Sequence, residues 1–153
     1  PHIPYVFQFQ YVKRHYFSKK IFIIFYMMTT EPLLISITSN RGLCGGFNAN
    51  VIKETLRLCR EDFNGKNIEV LGIGKKGGDI LSKTQTMKSR HDSLFDDLNF
   101  EDTATIAAEV MEAFDQGTYD KILLVYNRFK NAATQLVTVE QFLPMSRAIQ
   151  RHG

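Results

Sequence analysis

The densest group of chemically capable residues in this 153-residue chain lies between Ser39 and Asn50. Arg41 and Cys44 stand among Gly42, Gly45 and Gly46, with Asn40 before them, Leu43 between them, and Asn48 and Asn50 after. Backbone N–H groups freed by glycines at a helix start favour anions, so phosphate binding is the first chemistry to test. The glycines fall as G-x-x-G-G from Gly42, which matches neither G-x-G-x-x-G nor the G-x-x-x-x-G-K-[ST] loop. No Lys followed by Ser or Thr closes the turn. A thiol at a helix N-terminus can be reactive, but Cys44 has no His or second Cys close in sequence.

A second turn, Gly72-Ile73-Gly74-Lys75-Lys76-Gly77-Gly78, does satisfy G-x-G-x-x-G. That fingerprint belongs to the first strand–helix turn of its unit, with an acid closing the second strand. Here it follows the second strand of the chain, and Asp92, Asp96 and Asp97 sit in a polar loop, so it reads as a solvated basic turn. His91 with Asp92, Asp96, Asp97, Glu101 and Asp102 fits no Ca²⁺ loop and supplies one imidazole, which reads as a solvated acidic loop. The remaining histidines are His2, His15 and His152, and no G-x-S-x-G elbow occurs. No catalytic, cofactor or metal-binding residues are assigned, because no nucleophile–base pair or ligand set stands in a plausible frame.

The elements that would hold these turns follow from hydrophobic period. Leu33 to Ile37 is apolar or β-branched except at Ser36 and predicts a buried strand. Asn48 and Asn50 are N-cap types ahead of a helix over 50–63, with an apolar stripe at Val51-Ile52, Thr55-Leu56, Cys59 and Phe63 and a stop at Gly65. Ile68 to Ile73 predicts a second strand, 79–83 a short helix, and 85–89 a short strand. In the polar stretch 84–101, Met87, Leu94, Phe95, Leu98 and Phe100 are the expected contacts with the core. A helix from Asp102, buried through Ile106, Val110, Met111 and Phe114, ends at Gly117. Lys121 to Tyr126 predicts a central strand buried on both faces, and Asn127 to Asn131 a polar connection. Thr134 to Phe142, with Leu136 to Val139 at its core, pairs back as a hairpin that Pro144 ends. The order implies an α/β fold: a Rossmann-like open, mostly parallel sheet with helices on both faces and an antiparallel edge hairpin.

Length suits one domain with a real core. Apolar content is 44%, charged content 23% and net charge +3. Residues 1–28 hold Lys13, Arg14, Lys19 and Lys20 and no acid, which leaves the rest close to neutral and without an electrostatic footprint for nucleic acid. Two cysteines, Cys44 and Cys59, suit unpaired thiols in a reducing compartment. Residues 1–30 read as an atypical aromatic and basic leader. The apolar run Ile21 to Met28 is far shorter than the ~20 residues a membrane span needs, and no small-residue cleavage site follows it.

Ser39-Asn40-Arg41-Gly42-Leu43-Cys44-Gly45-Gly46-Phe47-Asn48 closely resembles the SDRGLCGG-type motif of the γ subunit of F-type ATP synthase, with Asn40 where that family usually has Asp. Asn127-x-Phe129-x-Asn131 is similar to the family's NxFxN/S stretch. The resemblance runs from about Leu33 to Pro144 and implies a globular α/β domain over 31–146, with 147–153 as a tail. It also implies long flanking helices, but 1–30 lacks their 3.5-residue period.

The resemblance implies a non-catalytic central-stalk subunit that couples proton flow to ATP synthesis mechanically. Its expected partners are the α and β subunits of F1, the ε subunit and the c-ring, without direct membrane insertion. The expected location is peripheral, at the cytoplasmic face of a bacterial inner membrane or the matrix side of the mitochondrial one. Asn40, Arg41, Gly42, Leu43, Cys44, Gly45 and Gly46 are then the candidate partner contacts, led by the Arg41 guanidinium toward acidic loops. The rival reading is a small nucleotide- or metabolite-binding module using the Gly42–Gly46 or Gly72–Gly78 turns.

Overall fold

A computed structural model describes residues 31–41, 46–97, 99–131 and 133–145. The leader 1–30, residue 146 with the tail 147–153, Leu98 and Ala132 lie outside the described residues, as do Gly42, Leu43, Cys44 and Gly45. The elements run β1 (Pro32–Ile37), α1 (Gly46–Arg57) continued by a π turn (Leu58–Asp62), β2 (Glu69–Ile73), α2 (Lys75–Leu81), β3 (Met87–His91), α3 (Phe100–Asp115), β4 (Lys121–Asn131) and β5 (Thr134–Leu143). The five strands form one sheet in the order β3-β2-β1-β4-β5. β1 pairs in parallel with β2 and β4, β2 in parallel with β3, and β4 antiparallel with β5. This is the mostly parallel α/β sheet with an antiparallel edge hairpin that the element order implies.

Alternation along β1 splits the interior into two cores. Leu33 and Ile35 face α3, where they meet Leu71, Ile73, Ile106, Val110, Ala113, Tyr119 and Ile122. Leu34 faces α1 and α2, among Val51, Ile52, Leu58, Val70, Leu81, Leu123 and Val125. Beneath α1, the buried Thr55 hydroxyl donates to Val51 O at 2.9 Å and lies 3.1 Å from Ser36 Oγ. Satisfying each hydroxyl in this way allows two polar residues to sit inside an apolar layer.

Several boundaries differ from the sequence reading. α1 begins at Gly46, before Asn48 and Asn50, because the Asn48 side chain is turned back onto the preceding loop rather than capping the helix. α2 begins at Lys75 and runs through Gly77 and Gly78, four residues ahead of the 79–83 expectation. α3 starts at Phe100, since Asn99 Oδ1 accepts Asp102 N at 2.8 Å and caps it. Met111 is 48% and Phe100 85% exposed, so neither joins the core. Ala113 takes the place expected of Met111 in the buried stripe.

As expected, β4 is an interior strand, between β1 and β5, with Ile122 in one core and Leu123 and Val125 in the other, but it runs on through Asn127–Asn131 where a polar connection was expected. β1 pairs with β4 only as far as Val125, so the outer half of the β4–β5 hairpin has no third strand beside it. Phe129, Leu136 and Val137 in that half are exposed, as is Val139 on the edge strand opposite Val125. Leu136 to Val139 thus form the middle of β5, as expected, and stand largely at the surface.

Candidate functional site

The residues after β1 close against the start of α2 one backbone amide at a time. Gly77 N donates to Thr38 Oγ1 at 2.8 Å, Lys76 N to Ser39 O at 3.2 Å, and Lys75 N to Asn40 Oδ1 at 2.9 Å. Thr38 N in turn donates to Ile73 O at 2.8 Å and prolongs the β1–β2 ladder. The amides at a helix start are the groups that would cradle a phosphate. Here the first three amides of α2 are already taken by residues 38–40.

Two of the glycines of the 72–77 fingerprint, Gly74 and Gly77, serve the same closure. Gly74 sits at φ 93°, and a Cβ there would stand 2.0 Å from Thr38 O. At Gly77 a Cβ would stand 2.7 Å from Thr38 Oγ1. Lys75 is drawn off as well: its Nζ lies 2.8 Å from Asp79 Oδ2, while Arg90 pairs with Asp79 and Asp92. The Lys75 and Arg90 contacts hold the Asp79 carboxyl down at about 2.

On its other side the 39–41 turn is tied to α1. Ser39 N donates to Asn48 Oδ1 at 2.9 Å, and Arg41 O accepts from both Ser39 Oγ at 3.0 Å and Asn48 Nδ2 at 3.2 Å. Asn40 Nδ2 donates to Asp96 Oδ1 at 3.0 Å in the β3–α3 loop. Asn127 Nδ2, on β4, donates to Phe47 O at 2.6 Å. The turn is thus fixed from every strand–helix junction at this end of the sheet, and Arg41 projects from it into solvent. Among the described residues Arg41 makes no ion pair.

Of the candidate contacts, the fold brings Asn40 and Arg41 together at this turn and places Gly46 at the first position of α1. Gly42, Leu43, Cys44 and Gly45 lie outside the described residues. Sequence reasoning passed over Thr38, Asn48 and Asp96 as parts of the site. Asn48 stands in the sequence as a helix cap and as the last residue of the motif, and Asp96 only as one acid in a polar loop. Asn127 was legible through its NxFxN resemblance, although it lies on a strand.

The acidic stretch is engaged internally: Asp92 by Arg90, Asp96 by Asn40 and Asp102 by Asn99, while His91 Nε2 lies 3.2 Å from Ser89 Oγ. Among the described residues no group of three His, Cys, Asp or Glu side chains could hold a metal ion, and no helix is long and apolar enough to cross a membrane. Cys59 lies in the π turn, where burial pushes its thiol up to about 11. At pH 8 its thiolate fraction is then about two hundredfold below that of an ordinary thiol. Alkylation of Cys59 by iodoacetamide is expected to be slower by about that factor in the folded chain than in urea, which peptide mass spectrometry can follow.

The family model described as ATP synthase matches residues 5–152. The chain is 57% identical over 117 residues to the ATP synthase gamma chain of Flavobacterium johnsoniae, an alignment covering 76% of this chain and 40% of that one. It is 39% identical over 121 residues to the gamma chain of a Geobacter species, covering 77% and 42%. The chain thus spans about 40% of the length of these curated relatives. Among solved structures it is similar to the central stalk and c-ring assembly of Tetrahymena thermophila mitochondrial ATP synthase. There the TM-score is 0.64 at 30% identity, over 91% of this chain and 57% of that one. With the motif, the sheet order and these similarities in agreement, the chain belongs to the ATP synthase gamma-chain family.

Proposed function

We propose that this chain forms the globular part of the central-stalk rotor subunit of a proton-translocating F-type ATP synthase and takes no part in catalysis itself. The observation that carries this reading is the closure of residues 38–40 on the first three amides of α2. It consumes the amides a nucleotide would need at the second glycine-rich turn and ties that turn to the end of β1 as one joint. A part that transmits torque needs such a joint, because a compliant surface would absorb the rotation.

The reading assigns the α and β subunits of F1, the ε subunit and the c-ring as partners, at the cytoplasmic face of a bacterial inner membrane or the mitochondrial matrix face. Arg41, together with the 42–46 segment, is the contact toward acidic loops of the head. A planar guanidinium on a fixed backbone suits bidentate pairing with carboxylates. Arg41→Ala is expected to weaken binding to the α₃β₃ head about tenfold, the loss of a charge-assisted contact. Its melting temperature should stay within about 3 °C, because an exposed side chain is removed. A drop of many degrees would make Arg41 structural and end the contact role. Titration of the chain with ATP, ADP and NAD should show no binding; micromolar affinity for any of them would overturn the stalk reading in favour of a nucleotide module.

A further inference from the structure

We infer that Asn40 is a positioning residue whose side-chain amide latches the β1–α1 turn to α2 and to the β3–α3 loop at once, holding the Arg41 backbone in place. The two ends of the amide do opposite jobs. Oδ1 accepts from Lys75 N at 2.9 Å, and Nδ2 donates to the Asp96 carboxylate at 3.0 Å. An N–H faces one end and a carboxylate the other, so the amide orientation is set by its surroundings. A carboxylate at position 40 could accept from Lys75 N and would even favour the start of α2. It could not donate to Asp96, and two carboxylates at that separation repel. An alanine would lose both bonds.

The location gives the latch its consequence. Arg41 follows directly, its carbonyl held by Ser39 and Asn48 from the α1 side. Asn40 supplies the opposing hold, so a load on Arg41 spreads to α2 and to the 92–97 loop as well as to α1. This mechanical role rests on the stalk reading, whereas the latch itself rests on the geometry alone.

Amide hydrogen exchange on the full chain tests the latch without any partner. Asn40→Asp is expected to leave the Lys75 amide protected and to speed exchange of the Asp96 amide, bonded to Ser93 O at 3.0 Å, about tenfold. Asn40→Ala should release both amides. The double variant Asn40→Asp with Asp96→Asn reverses the donor and acceptor and should restore protection at Asp96. A general loss of stability would speed all amides together and would not be rescued in this way. If Asn40→Asp leaves Asp96 protected, or if the double variant does not rescue it, the latch is wrong. Binding of these variants and of Arg41→Ala to the α₃β₃ head separates the two ideas. The expected exchange pattern with head binding unchanged in Arg41→Ala keeps the latch and removes the stalk contact.

Discussion

Gly74→Ala is expected to lower the melting temperature by more than ~10 °C, the largest effect of a methyl addition at any of the described glycines. Gly74 stands at φ 93° and ψ 138°, a region open in practice to glycine alone, where strain on another residue costs about 1–3 kcal/mol. The added methyl would also lie 2.0 Å from Thr38 O and 2.6 Å from its carbonyl carbon, both backbone atoms that cannot swing aside. Relief would require β1 and α2 to move apart, breaking the bonds from Lys75, Lys76 and Gly77. Gly65→Ala is the matched control. Gly65 also has a positive φ, 74°, but nothing stands within 4 Å of its added Cβ. Its cost should be the backbone term alone, about 1 kcal/mol. Equal losses in the two variants, measured by circular dichroism melting, would show that the contact with Thr38 is not the cause.

Leu34→Ala is expected to destabilise the fold by about 2–5 kcal/mol in urea unfolding. Leu34 lies on the central strand, fully buried, at the middle of the core shared by α1 and α2. Neighbours on both adjacent strands prevent β1 from collapsing into the void, so the cavity term should persist. A domain of this size holds only about 5–15 kcal/mol of stability, so a third or more could vanish with one side chain. Leu136→Ala makes the contrast. Leu136 is 43% exposed on the free half of the β4–β5 hairpin, and its loss should cost under ~0.5 kcal/mol. A loss above 2 kcal/mol at Leu136 would mean that the hairpin packs more tightly than its exposure indicates.

Leu34 and Leu136 look alike in the sequence, since each sits in an apolar run with β-branched neighbours. Period and run length placed both in strands, because those signals report side-chain alternation within one segment. What divides them is which strands lie alongside, and that is settled by pairing across long sequence separations. The same limit explains β4: the residues of Asn127–Asn131 are polar because one half of the hairpin faces water, not because the strand has ended.

Local chemistry by itself determined much here: the strands, the helices, the stop at Gly117, the mostly parallel sheet, and a motif whose odd mixture of Arg, Cys and glycine pointed to the family. It also showed that the G-x-G-x-x-G match follows the wrong strand for a dinucleotide fold. Only the tertiary structure decided why that match exists. Gly74 and Gly77 are glycines because Thr38, distant along the chain, presses against them, and the α2 amides are filled by residues 38–40. Likewise, Asn48 and Asp96 became part of the turn only when α1 and the β3–α3 loop arrived beside it. A hydrogen bond between residues 56 positions apart leaves no periodic trace in either segment, because each partner satisfies a geometry that exists only after the sheet has assembled.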